Sequence, residues 1–184
     1  MTREAASTVP PLSLRLAAGA ALPVLLAGFV APAPPQLQAL FKTSSIVRAA
    51  PETPLVSVTP GETIEVPVRV EITRGYHINA ARATFDYMIP TRLEWGSSAL
   101  KMVKVDYPPA GRRTFSFTDK PLEVYEGTVA IRTKFQAPPN AVAGKLTLAG
   151  KLRYQACDDK ACYPPGNVAV EVAVQVLKKR VRNS

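Results

Sequence analysis

Residues 63–72 read Thr-Ile-Glu-Val-Pro-Val-Arg-Val-Glu-Ile, so that Ile64, Val66, Val68, Val70 and Ile72 fall on one face of an extended strand. Five apolar side chains in a row with period two need a second apolar surface opposite them. Pro67, on the other face, cannot donate to a ladder, which predicts an edge or a bulge at that point. The same period runs through 82–87, 91–95, 102–105, 113–118, 128–135, 145–156 and 168–177. Turn signals separate these runs: Thr59-Pro60-Gly61-Glu62, Pro108-Pro109-Ala110-Gly111, Ala137-Pro138-Pro139-Asn140 and Pro164-Pro165-Gly166-Asn167. The 18 prolines of the chain also disfavour long helices. Short strands at this spacing, over roughly 125 residues, predict an all-β domain spanning 55–177, a two-sheet sandwich of immunoglobulin type. No helical period alternates with the strands, which argues against a thioredoxin fold.

At 184 residues and 47% hydrophobic, the chain can bury one core of ordinary size and still carry terminal sequence. Arg3 and Arg15 are the only basic groups before an uncharged apolar run at 16–31, the pattern of an export signal. Pro23 interrupts that run, which falls short of the ~20 residues of a comfortable transmembrane helix. Residues 1–33 are thus expected to be a signal peptide or an uncleaved anchor, because Ala31-Pro32-Ala33 has a small-x-small pattern but Pro34 follows it. Either reading places the remainder outside the cytoplasm, in the periplasm or an equivalent compartment where disulfides persist. Residues 34–54 read as a Pro-rich linker.

The net charge of +9 bears on solubility and non-specific attraction rather than on a partner. Arg69, Arg82, Arg92, Arg132, Lys134, Lys151 and Arg153 are spaced as solvent-facing alternates, and 178–184 forms a basic tail. No nucleic-acid motif and no basic stretch interleaved with aromatics accompanies the charge, so no nucleic acid is expected as a partner. Contact with a membrane is expected only through an uncleaved anchor, and the chain is expected to be a monomer.

Both cysteines stand in Tyr-Gln-Ala-Cys-Asp-Asp-Lys-Ala-Cys-Tyr-Pro-Pro at 154–165. Sulfurs this close are either bonded to each other or poised to be. Loop entropy gives so small a ring roughly 2 kcal/mol, against about 4–5 for a ring of 100 residues, so Cys157 and Cys162 make a poor staple and chemistry becomes a serious reading. The pair lies at the turn between two strands, where directly opposed residues have β-carbons ~4.5–5.5 Å apart, close to what a disulfide needs. Asp158 and Asp159 disfavour a thiolate at Cys157, Lys160 partly offsets them, and no helix start is at hand. The expected thiol is unreactive alone and activated by a partner. His77 is the only histidine, and a lone histidine is more often a structural hydrogen-bonder than a catalyst. No metal-ligand spacing, nucleophile elbow, phosphate loop or zinc-protease signature is present, so neither a metal nor a cofactor is expected.

Together with Gly75-Tyr76-His77-Ile78-Asn79, Tyr87-Met88-Ile89-Pro90-Thr91, Phe115-Ser116-Phe117 and Val124-Tyr125-Glu126-Gly127, the cysteine segment resembles the periplasmic N-terminal domain of the bacterial thiol:disulfide interchange protein DsbD. The likeness covers about 55–177, and its most specific part is the cysteine segment with Tyr163 and the two prolines after it. It implies an immunoglobulin-like domain of protein-disulfide reductase type whose cysteine pair shuttles reducing equivalents. The donor it implies is a thioredoxin-like domain of the same system. The acceptors it implies are thioredoxin-like periplasmic proteins, among them a disulfide isomerase or a thioredoxin of cytochrome c maturation. It further implies that Cys162 forms the mixed disulfide and Cys157 resolves it. A cap loop is expected at Glu123, Val124, Tyr125 and Glu126, with Tyr125 shielding the sulfurs, and His77 and Asn79 are expected beside the pair. Full-length relatives continue into a membrane-spanning and a thioredoxin-like domain, so the electron source is expected on another polypeptide. The competing expectation is an exported sandwich used for binding or structure, with a disulfide that only pins a hairpin.

Overall fold

The computed structural model describes residues 46–179; the expected signal or anchor at 1–33 and residues 180–184 of the basic tail lie outside the described residues. The strands are β1 (Val47–Pro51), β2 (Leu55–Val58), β3 (Thr63–Ile72), β4 (His77–Asn79), β5 (Arg92–Trp95), β6 (Lys101–Asp106), β7 (Gly111–Arg113), β8 (Leu122–Tyr125), β9 (Thr128–Gln136), β10 (Gly144–Tyr154), β11 (Ala156–Cys157) and β12 (Gly166–Val176). They form three sheets, ordered β1-β3-β9-β6, β2-β12-β10-β5 and β11-β4-β8-β7.

The first two sheets make the immunoglobulin-like sandwich. Val66, Val68, Val70 and Ile72 of β3 are buried and Ile64 is half-buried, while Glu65, Arg69 and Glu71 face solvent, as the alternation requires. On the opposite sheet β12 does the same with Val170, Val172, Val174 and Val176. These two rows, with Ile131 and Phe135 of β9 and Leu148 and Leu152 of β10, form one core. Each such side chain taken out of water contributes about 1.5–3 kcal/mol. The longest ladder joins β10 to β12, from Gly144↔Val176 to Tyr154↔Gly166, and β2 adds to β12 in parallel. Trp95 ties the sheets together. Its Nε1–H donates to Thr133 Oγ1 at 2.9 Å, and its ring meets Phe135 edge-on at 5.3 Å. Gly150 makes room for that indole, since a β-carbon there would stand 2.6 Å from Trp95 Cε3.

Several expectations change. Residues 34–54 are not linker throughout, because β1 pairs along β3 from Val47↔Ile72 to Pro51↔Val68 and Ile46 and Val47 enter the core. Alternation is hard to see in so short a strand. β3 is an interior strand, and Pro67 is accommodated by where β1 ends. Glu52 N–H donates to the Pro67 carbonyl at 3.0 Å just beyond β1, so the missing donor faces the end of a strand and not a continuing ladder. Residues 82–87 form no strand: the Met88 N–H turns back to the Phe85 carbonyl at 3.1 Å, and Thr84 Oγ1 accepts from Glu123 N–H at 2.8 Å. Phe85 and Met88 spend their apolar surface on a small second core with Leu122 and Val124. Of 113–118 only Arg113 is in a strand, and the rest is the loop joining β7 to β8. The third sheet, which the sequence did not announce, is assembled from these short pieces.

Candidate functional site

The chain leaves the long β10–β12 ladder at Tyr154, forms the two-residue β11, and returns through Asp158–Asp159–Lys160–Ala161 to Cys162. Cys157 and Cys162 face each other across an isolated antiparallel bridge, with α-carbons 3.9 Å apart, and they form a disulfide. The bond is asymmetric in its access to solvent: Cys157 is 0% exposed, while Cys162 lies at the surface.

Asp158 folds the loop between them. Its N–H donates to the Ala161 carbonyl at 2.9 Å, and its Oδ1 accepts the N–H groups of Lys160 and Ala161, each at 2.9 Å. An aspartate that bonds its own backbone two and three residues on is a common turn device. Its Oδ2 takes the Tyr163 hydroxyl at 2.6 Å, and Tyr163 N–H closes the turn onto Ala156 at 2.8 Å. The carboxylate expected to oppose a thiolate is therefore engaged by several donors.

Below the loop, Gln155 works as a bracket. Its Nε2 donates to the Tyr163 carbonyl at 3.2 Å, and its Oε1 accepts from Asn79 Nδ2 and from Ile89 N–H, both at 3.1 Å. Asn79 Nδ2 also donates to the Ile89 carbonyl at 3.0 Å, the Asn79 backbone carbonyl accepts from Thr91 Oγ1 at 2.5 Å, and Asn79 Oδ1 is buried without a partner. Asn79 thus anchors the turn that carries the disulfide to the 80–91 segment.

His77 pairs directly with Cys157 across β4 and β11. It is 2% exposed, and its Nε2 has no hydrogen-bond partner. Burial pushes its pKa below the usual 6.5, opposed by the carboxylates of Glu126, Asp159 and Asp158, so the neutral imidazole is favoured. Phe115 stacks on the imidazole with centroids 4.1 Å apart, and Phe117 stacks on Phe115 at 5.3 Å. From the same loop, Ser116 Oγ donates to the Asp159 carbonyl at 3.4 Å.

The residues expected to form a cap at 123–127 lie in and just after β8. Glu123, Val124 and Tyr125 belong to β8, with Val124 and Tyr125 buried. Tyr125 accepts from Ala81 N–H at 3.3 Å and donates to the Pro108 carbonyl at 3.1 Å, and burial raises its pKa. Phe115 of the β7–β8 loop stacks on His77, the partner of Cys157, and Tyr76 packs against Tyr163 of the cysteine segment with centroids 6.0 Å apart. Glu126 stays exposed beyond β8, paired to Arg113 at 2.8 Å, at a turn where Gly127 adopts a positive φ of 64°. Sequence reading missed Gln155 as a bracket and took Phe115 and Phe117 for strand residues. The available signal was Phe-Ser-Phe beside Asp119 and Pro121, an aromatic pair with turn chemistry on its far side.

An immunoglobulin-like sandwich that presents a half-accessible disulfide from the end of its longest ladder, rather than from a helix start, defines a class of β-domain distinct from thioredoxins. The chain matches the family described as thiol:disulfide interchange protein DsbD, N-terminal, over residues 47–173, and it belongs to that family. Thiol–disulfide interchange is the chemistry this membership implies, and Cys157–Cys162 is the disulfide present for it. No curated protein matches the chain. Among solved structures it is similar to PapD-like domain 7 of human CEP192, at 12% identity and a TM-score of 0.35, over 87% of this chain and 99% of that one. It is also similar to a family 123 glycoside hydrolase from Clostridium perfringens, at 9% identity and a TM-score of 0.36, over 72% of this chain and 27% of that one.

Proposed function

We propose that this domain is an extracytoplasmic thiol–disulfide carrier that relays reducing equivalents through Cys157 and Cys162 to other exported thiol proteins. The observation that carries the reading is the unequal exposure of the two sulfurs. Exchange needs an approach to one sulfur, and the departing sulfur must stay close enough to return. Cys162 offers the approach. A thiolate of a thioredoxin-like donor attacks Cys162 Sγ, the Cys157–Cys162 bond breaks, and Cys157 leaves with the electron pair. The donor's second thiol then releases it as a disulfide and leaves the pair reduced. In the forward transfer, Cys162 attacks the acceptor's disulfide and Cys157 resolves the product.

The aromatic loop at 114–121 serves as the shield in this reading, with Phe115 and Phe117 in the place first given to Tyr125. His77, Asn79 and Tyr163 shape the floor and wall of the site. A purely structural disulfide is disfavoured because Asp158 already closes the same loop with hydrogen bonds. The uncharged run at 16–31 supports export, and among the described residues no helix is long and apolar enough to cross a membrane.

The test is a trap. Cys157→Ala should accumulate mixed disulfides through Cys162 with thioredoxin-like proteins of the same compartment, and Cys162→Ala should accumulate none through Cys157. A reduction potential far below about −300 mV, the range of inert structural disulfides, would sink the carrier reading.

A further inference from the structure

Three groups of different chemistry meet at the third sheet. Cys157 of β11 is paired with His77 of β4. The β4–β8 register runs Asn79↔Val124 and then Ile78↔Tyr125, where β8 ends; continued by one step, it brings Glu126, the residue just past β8, to the level of His77. Directly opposed residues share a face of the sheet, with β-carbons about 4.5–5.5 Å apart. Thiol and imidazole therefore share one face, with the carboxylate at their level. The electrostatics agree, since Glu126 acts on His77 more strongly than Asp159 or Asp158 does.

The imidazole is built in an unusual way for a structural residue. A buried polar atom is normally hydrogen-bonded, and leaving one unpaired costs about 1–3 kcal/mol. Nε2 of His77 is such an atom, and so is Oδ1 of Asn79 two residues on, whose Nδ2 is bonded, in a site where Gln155 and Tyr163 have partners; of the two orphans only the imidazole can take up a proton near neutrality. Phe115 covers one face of the ring. The charged groups acting on it are Glu126, held by Arg113 at 2.8 Å, and Asp159 and Asp158 of the cysteine loop; Asp158 is already engaged by the turn. What lies next to the ring and exchanges a proton during the reaction is Cys157.

We infer that His77 accepts the proton of the Cys157 thiol when Cys157 resolves a mixed disulfide, and that Glu126 orients and supports the imidazolium this creates. The inference rests on the exchange reading above. In the step, the Cys157 Sγ–H proton passes to His77, and the resulting thiolate attacks Cys162 Sγ. The Cys157–Cys162 bond forms as the bond from Cys162 to the partner breaks, and the partner sulfur leaves with the electron pair. The proton then passes from His77 to that thiolate or to water. In the reverse direction the imidazolium returns the proton to the departing Cys157. A buried sulfur shut away from water needs such a carrier, whereas Cys162, at the surface, exchanges its proton with solvent.

The test uses the reduced chain and a nitrobenzoate disulfide whose released thiolate absorbs visible light. A first phase reports attack by Cys162, and a second reports resolution by Cys157. In the unaltered chain the second phase should change little above pH 7. In His77→Phe it should fall about tenfold or more at pH 7 and climb with pH toward ~8.5, as for an unassisted thiol that is only a few per cent ionised at neutrality. His77→Gln, which keeps a polar side chain, should show the same profile if the phenylalanine variant folds poorly. Glu126→Gln should slow the second phase about threefold at pH 7, a smaller loss of the same kind. A second phase in both His77 variants that follows the unaltered chain at every pH overturns the inference and leaves the exchange reading standing. Absence of the first phase from the unaltered chain removes the exchange reading, and the inference with it.

Discussion

The sandwich and the cysteine end are stabilised in different ways. In the sandwich, β3, β9, β10 and β12 each run nine residues or more, and aliphatic rows from two sheets close on one core. At the other end β4, β7, β8 and β11 have two to four residues each, and the second core has only Met88, Leu122 and Val124 as its buried members. Short strands hold few ladder bonds, so side chains take over: Asn79, Gln155, Thr91 and Asp158 bond backbone that strands would otherwise satisfy. Apolar burial is forgiving of local detail, whereas a polar bracket fixes particular atoms. The contrast teaches that the molecule keeps its stability where the sheets are long and its chemistry where they are short.

The sharpest way to break that division is Phe135→Ala in the core. It should cost about 4 kcal/mol in denaturant unfolding while leaving exchange per folded molecule unchanged. Slower exchange in the folded fraction would show that the two regions are coupled. Reducing the disulfide should cost about 2 kcal/mol by loop entropy, with the domain still folded; global unfolding on adding a dithiol would mean the pair is a staple after all. Phe115→Ala should cost only about 1 kcal/mol for the lost ring stacking. It should nevertheless speed reduction of the disulfide severalfold, and an unchanged rate would deny the loop its shielding role.

The smallest effects are in pH. Because burial lowers the pKa of His77 below 6.5, the unfolded chain binds a proton that the folded chain resists. The stability this represents is whole above about pH 6.5 and is lost as pH falls through that value toward the lowered one, so His77→Phe should unfold less readily on mild acidification than the unaltered chain. Tyr154 works at the other end of the scale. Burial raises its pKa to about 12, so stability is whole below pH 10 and is lost above it as the unfolded chain ionises. Thermal midpoints of the unaltered chain and of Tyr154→Phe, compared across that range, check the second expectation.

Much of the sandwich could be read directly. In β3 and β12 every second residue is apolar, and such a row can be satisfied only by facing another. The site was legible as a cysteine pair at a turn between two strands, and β11 and the bridge to Cys162 put it there. Its surroundings were not. Phe115 and Phe117 alternate as strand residues do, yet the chain turns at Thr118 N–H→Phe115 O and carries them over His77. Tyr125 looked like a shield and is core, because Val124 and Tyr125 together fill both faces of β8. Period two tells which side chains share a face; it does not say what lies against that face.

Sequence alone determined that the chain is a β-sandwich and that its two sulfurs are neighbours, because alternation and a separation of five residues are local properties of a polymer. Only the tertiary structure decided which sulfur is reachable, that Phe115 stacks on His77, and that His77 pairs with Cys157 within the field of Glu126. These facts depend on the pairing of residues up to eighty positions apart in the chain, as Cys157 and His77 are. No local periodicity encodes such a pairing; it is set when the long sheets close and leave the short strands one register in which to meet.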